Sequence, residues 1–156
     1  MANTQAMATS FKVELLNAVH QFGSPTIVSR SSLTAPTADS FKGALFLASA
    51  TINASTTTYS TTGELAGTGN YTQGGVAITW IAPTNDSTTA HTTPNASLSW
   101  TNLTSSGAFD ALQIYNDTQG DKTVSVHTFS SQNVTAANFS LTMPTNNGTT
   151  GLIRIA

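Results

Sequence analysis

From Phe41 onward the chain alternates short apolar packets with polar stretches of similar length. Before Phe41 the pattern is different. Phe11, Leu15, Ala18 or Val19, and Phe22 recur at helical spacing, with Thr9 or Ser10 placed to cap and Gly23 placed to stop. This predicts one helix over about Ser10 to Gln21, after which Pro25 enforces extended backbone. Phe41–Ala48 (FKGALFLA) and Ala108–Tyr115 (AFDALQIY) are apolar on both faces, as buried central strands are. Gly75–Ala82, Ser97–Leu103, Lys122–Phe129, Asn138–Met143 and Gly151–Ala156 carry apolar residues at alternating positions and predict further strands. Ile27–Arg30 and Thr57–Thr62 are weaker strand candidates. Turn residues cluster at Gly67–Gly75, Pro83–Asp86, Asn116–Asp121 and Thr145–Gly151.

Seven to nine short strands at this spacing predict a mainly β protein, an antiparallel β-sandwich with one N-terminal α-helix. Jelly-roll-like connectivity is the expectation, with an immunoglobulin-like order as the alternative. The expected organisation is an N-terminal arm over residues 1–10 and a single sandwich domain over 11–156 that includes the helix. Thr51–Thr62 (TINASTTTYSTT) is low in complexity and reads as an edge strand plus loop.

Composition sharpens this picture. Only 8% of the 156 residues are charged and the net charge is −2, against roughly 25% charged residues in an ordinary domain. In their place stand 29 Thr, 18 Ser and 12 Asn. Threonine suits the wet face of a strand, because its β-branch favours the pleat while its hydroxyl meets water. A basic surface for nucleic acid is not expected, nor is a membrane partner, since the apolar runs are far shorter than the ~18 residues of a span. With no cysteine, disulfides and thiolate metal sites are excluded. Met1–Thr9 lacks the basic start and apolar stretch of a signal peptide.

No motif announces catalysis. His20, His91 and His127 fall in different predicted elements and form no HxH or HExxH spacing. The acids are Glu14, Asp39, Glu64, Asp86, Asp110, Asp117 and Asp121, with no pair in a context that supports glycoside chemistry. Asn116–Asp121 looks superficially like a calcium loop, yet lacks the alternating acids and closing Glu of an EF-hand. A hairpin turn is the better reading, because Asn and Asp side chains bond the nearby backbone. No G-x-S-x-G elbow is present, and GTGNYTQGG (Gly67–Gly75) lacks the ending of a phosphate loop. The expectation is therefore no enzyme, no catalytic residue, no cofactor and no metal. Nine Asn (Asn53, Asn70, Asn85, Asn95, Asn102, Asn116, Asn133, Asn138 and Asn147) precede Ser or Thr at +2, where about four would arise by chance. Glycosylation is a minor reading of these. Trp80 and Trp100 sit among alternating apolar neighbours and are expected in the core, a sugar-stacking platform being the alternative.

Several pieces of the chain, in order, carry a resemblance. They are the start MANT, Phe11–Leu16, Phe41–Leu45, Gly63–Gly75 (GELAGTGNYTQGG), Leu112–Thr118 (LQIYNDT), Lys122–Val126 (KTVSV) and Pro144–Ala156 ending in LIRIA. Together they resemble a family of small structural proteins of tailed bacteriophages, over almost the whole chain. Gly23–Asp39 is longer than that pattern, and Glu64–Leu65 stands where an acidic–Val pair is expected. The resemblance implies a virion component: a capsid decoration or cement protein with a jelly-roll-like sandwich, made in the bacterial host cytoplasm and bound on the capsid surface. Its implied partners are the major capsid protein and further copies of itself, as a dimer or trimer matching the symmetry of a shell. The Met1–Ser10 arm, expected to be mobile until bound, and the Thr51–Thr62 loop are the expected contact segments. The alternative is a tail or vertex adaptor or receptor-binding module, for which Trp80 or Trp100 would be exposed. A small hydrolase would instead show paired carboxylates or a Ser–His contact in a cleft.

Overall fold

A computed structural model describes residues 3–16, 20, 22–23, 37–66 and 69–156. The described elements are β1 (Ala6–Met7), α1 (Thr9–Leu16), β2 (Phe41–Leu47), β3 (Val76–Ile78), β4 (Thr84–Asp86), β5 (Thr89–Thr92), β6 (Leu98–Leu103), β7 (Phe109–Asn116), β8 (Lys122–Gln132), β9 (Ala137–Leu141) and β10 (Ile153–Ile155). The protein is mainly β and its strand pairs are antiparallel. A five-stranded sheet runs in the order β1-β8-β7-β2-β3, beside a three-stranded sheet β10-β5-β4 and a β6-β9 pair. Among the described residues the strands fall into three sheets, whereas a jelly roll divides eight strands between two.

The packing is sandwich-like, and it explains the two-faced apolar runs. Phe41 and Leu45 of β2, with Leu112 and Ile114 of β7, share one core with Leu98, Trp100 and Leu103 of β6 and Ile153 of β10. Ala44 and Phe46, with Ala111, Tyr115 and Val126, point the other way and pack under Ala50, Ile52 and Tyr59. The second core is roofed by the connection between β2 and β3. Both faces of β2 and β7 are therefore dry, and alternation disappears from their sequences. Gly43 lets the layers approach: a Cβ there would lie 3.0 Å from Leu98 and 3.1 Å from Leu112.

The helix is shorter than expected. It spans Thr9–Leu16, and His20 is not helical, while residues 17–19 and 21 lie outside the described residues. Ser10 sits inside the first turn instead of capping it, with its hydroxyl buried and without a hydrogen-bond partner. Residues 3–10 do not stand off as an arm. Ala6 and Met7 pair with Val126 and Ser125 of β8. On the other side Thr4 N–H donates to Ile52 O and Thr9 N–H to Ala54 O. Asn3 Nδ2 donates to Leu47 O at 3.0 Å and to Asp110 Oδ1 at 2.6 Å.

Thr57–Thr62 forms no strand; it makes one bridge, Thr58 with Lys122. Pro83–Asp86, expected as a turn, is mostly β4, and the reversal comes later at Ser87, which adopts φ 53°. Ile27–Arg30 lies outside the described residues. The turn at 116–121 closes the β7-β8 hairpin as expected.

Candidate functional site

A polar cluster centred on Glu64 lies beneath the connection from β2 to β3. The first half of β2 pairs with β3, whereas its second half meets residues 63–65: Leu47 N–H donates to Gly63 O and Leu65 N–H to Leu45 O. Between these two pairings the Leu45 N–H is met by the Tyr71 hydroxyl at 3.0 Å. That hydroxyl donates in turn to Glu64 Oε1 at 2.7 Å, and Gly74 N–H donates to the same oxygen at 2.8 Å. Tyr59 donates to Oε2 at 2.5 Å. Tyr115 stacks on Tyr59, with ring centroids 4.3 Å apart and planes 10° from parallel, and donates to Gly74 O at 2.7 Å. Glu64 is 4% exposed, so its carboxylate is held by hydrogen bonds in place of water.

Burial, and then the bond to Glu64, pushes the Tyr59 and Tyr71 hydroxyls well above the ordinary phenol range. Tyr115 is raised by burial first and then by the charges of Asp117 and Asp121. These groups are fixed donors at neutral pH. The cluster fastens the roof over the second core. Sequence reading left Glu64 as one acid among seven, although Tyr59 and Tyr71, two of the three tyrosines in the chain, flank it.

A cleft of about 480 Å³ opens between β1, β8 and the C-terminal segment, lined in part by Gln5, Met7, Ser125, His127, Leu152 and Arg154. Residues two apart on a strand share a face, and here Ser125 Oγ and His127 Nε2 stand 2.9 Å apart. Burial lowers the His127 pKa to about 4, so the ring is neutral at pH 7 and can accept the Ser125 proton. Among the described residues no carboxylate hydrogen-bonds to His127. This is the Ser–His contact in a cleft that the hydrolase alternative calls for, but among the described residues it has no carboxylate to fix the ring's tautomer as in a Ser-His-Asp triad. Sequence reading singled out no serine here; the S-x-H spacing on a predicted strand was the available signal.

The remaining candidates are tied into the framework. His20 is buried against Phe11, and Asn116 Nδ2 lies 3.0 Å from its Nδ1 and donates to Asp39 Oδ2 at 2.7 Å. Asn116 Oδ1 accepts the Thr118 and Gln119 amides, which is the turn-capping role expected of the 116–121 segment. Asn116 is wholly buried, so it is no surface acceptor for a glycan. His91 is buried, with Nδ1 3.1 Å from Asn146 Oδ1 and Nε2 3.2 Å from Asp86 Oδ2, the latter out of line for a hydrogen bond. Asp117 pairs with Lys42 at 2.9 Å in the open. Among the described residues no three His, Asp or Glu gather to hold a metal ion, and no helix is long and apolar enough to cross a membrane.

Trp80 and Trp100 are 6% and 4% exposed. Trp80 packs edge-on against Phe22 and Phe41, and Trp100 packs against Phe139. Neither ring offers a face to a sugar. Large apolar exposure is confined, among the described residues, to Ile81 and Ile155. What faces solvent along the roof is hydroxyl and amide: Ser55, Thr57, Thr58, Ser60, Thr61 and Thr62 are all exposed. This row adjoins residues 3–9 through the Thr4–Ile52 and Thr9–Ala54 bonds, so the two segments singled out as contact regions form one continuous surface. Comparison with protein-family models, with curated proteins and with solved structures finds no match to this chain.

Proposed function

We propose that this chain is a virion structural protein, a decoration or cement protein that binds and stabilises the major capsid shell of a tailed bacteriophage. The motif resemblance supports this reading. The observation that carries it on the structural side is the roof surface, where the exposed hydroxyls of residues 55–62 and the uncharged segment 3–9 adjoin through main-chain bonds.

Such a surface suits a static, high-copy contact. Short side chains lose little rotamer entropy when they are fixed, unlike lysine or glutamate. Their hydroxyls donate or accept as the partner requires. With so few charges, the affinity depends weakly on salt. The partner is the major capsid protein, and copies of the chain associate as a dimer or trimer at symmetric junctions of the shell. An exposed tryptophan would favour the receptor-binding alternative, and both tryptophans are buried.

The test is cosedimentation of the purified protein with capsid shells that lack it, at low and high salt. Saturable binding that survives high salt, together with a raised melting temperature of the shell, is expected. Binding abolished by moderate salt, or no binding, would overturn the proposal.

A further inference from the structure

The turn that follows β9 is built from a chemically labile dipeptide, and its geometry shows why that dipeptide is there. Asn147 Oδ1 accepts the Thr149 amide at 2.8 Å, the Thr150 amide at 2.7 Å and the Thr150 hydroxyl at 2.9 Å. Its main-chain oxygen accepts the Gly151 amide at 2.8 Å. A short side chain with an accepting oxygen, as in Asn or Asp, caps in this way. The next amide, Gly148 N–H, donates to Asp86 Oδ2 at 2.7 Å. A Cβ on Gly148 would stand 3.0 Å from Asp86 Cβ, so glycine is the residue that fits flush against β4. The cap suits Asn or Asp and the close approach suits glycine; the pair that stands here is Asn–Gly, the only such pair among the 12 asparagines.

Asn–Gly is prone to cyclise, because glycine leaves the following amide nitrogen unshielded. That nitrogen bonds to the asparagine Cγ and its proton passes to solvent base. The Cγ–Nδ2 bond breaks, and ammonia leaves after taking up a proton. Water then opens the cyclic imide at either carbonyl, giving aspartate or isoaspartate. In the folded turn both reacting groups are already engaged: the nucleophilic amide by Asp86, and the carboxamide by three donors facing residues 149–150.

We propose that Asn147 is a latent modification site, protected while the turn is closed and converted when the turn opens. Conversion is then self-locking. An isoaspartate lengthens the main chain at the point where Gly148 must reach Asp86, and either product adds a negative charge beside that carboxylate. With isoaspartate at 147 the turn that ties the β4-β5 hairpin to β10 could not close again in its native form, whereas aspartate would weaken it by charge alone. Asn147 would in this way record past opening of one corner of the fold.

The experiment is peptide mapping by mass spectrometry after incubation of the intact protein in mildly alkaline buffer, following isoaspartate and the gain of about 1 Da at Asn147. Three samples are compared: the folded protein, the protein in denaturant, and folded Asp86→Ala. Conversion in the folded protein should be at least about tenfold slower than in denaturant, because protection scales with the cost of opening. Asp86→Ala should speed it while the near-ultraviolet circular dichroism stays native. Equal rates in folded and denatured protein would overturn the proposal, as would a folded Asp86→Ala that converts no faster than the parent. If Asp86→Ala fails to fold, hydrogen exchange at the Gly148 amide of the parent decides: an amide protected together with Asn147 supports the proposal, and a freely exchanging one overturns it.

Discussion

Tyr71 donates its hydroxyl proton to Glu64 across 2.7 Å while accepting the Leu45 amide, so one phenol links a strand, a loop and a buried carboxylate. Glu64→Ala removes the acceptor from Tyr71, Tyr59 and the Gly74 amide at once. Each buried donor left unpaired costs about 1–3 kcal/mol, so a loss of about 3 kcal/mol or more is expected. Glu64→Gln keeps the shape and one acceptor, and should lose less. The midpoints of urea unfolding check the order.

The tyrosines give this cluster a pH signature. All three tyrosines of the chain have pKa values raised in the fold, chiefly by burial. A raised folded value means that the folded state holds its proton when the unfolded chain releases it. The associated stability is full below the unfolded phenol value of about 10 and is lost as pH rises above it. Tyrosinate absorbance should therefore stay low above that pH until the chain unfolds, and then appear in one cooperative step.

His127 works in the opposite direction. Its folded pKa is lowered by burial to about 4. The unfolded ring takes up a proton near pH 6.5 while the folded one does not. Stability is full above that value and falls as pH drops towards 4. The cleft is open to solvent, so the effect should be about 1–3 kcal/mol, with the lower end favoured. Comparing the parent with His127→Gln across that range measures it; the parent should lose stability more steeply.

Backbone geometry offers two more tests of opposite sign. Gly75 adopts φ +76°, and a Cβ there would fall 1.9 Å from Gly43 O, so Gly75→Ala must displace a central strand. A loss above about 3 kcal/mol is expected, with thermal melting as the check. Ala136 holds φ 47° at the entry to β9, a conformation that alanine adopts at a cost. Ala136→Gly relieves it and should be neutral or stabilising by up to about 1 kcal/mol, once the entropy cost of glycine is included.

The strongest elements of the fold were legible because they answer to one rule. Runs such as FKGALFLA lose their alternation only when both faces are covered, and both faces of β2 are. β4 and β5 escaped because their residues, TND and TAHT, are polar and resemble the turn they border, although His91 and Thr92 of β5 are buried. The helix was expected through Gln21 on the strength of Phe22, yet Phe22 reaches the core from outside the helix, stacked on Phe41. Glu64 was invisible as a site because its donors, Tyr59, Tyr71 and Gly74, come from separate turns of one polar connection. Only the folded path of residues 48–75 brings them to one carboxylate. The same path joins residues 3–9 to 51–54, which spacing alone does not reveal.

Contact through the roof can be probed without disturbing the core. Thr61→Lys together with Thr62→Lys, at two exposed positions, should shift the melting temperature by no more than about 4 °C, since surface changes are near neutral. Shell binding should fall at least about tenfold, because two strongly hydrated charges would then be desolvated at the contact. Deleting residues 3–9 is the poorer experiment, as it also strips β1 from the sheet.

The most direct test of the proposed role is the number of copies in a particle. The chain should be quantified against the major capsid protein in purified virions. A number comparable with that of the shell protein is expected for a protein that coats the head. A number near that of a tail or vertex component, or none at all, would contradict the cement role.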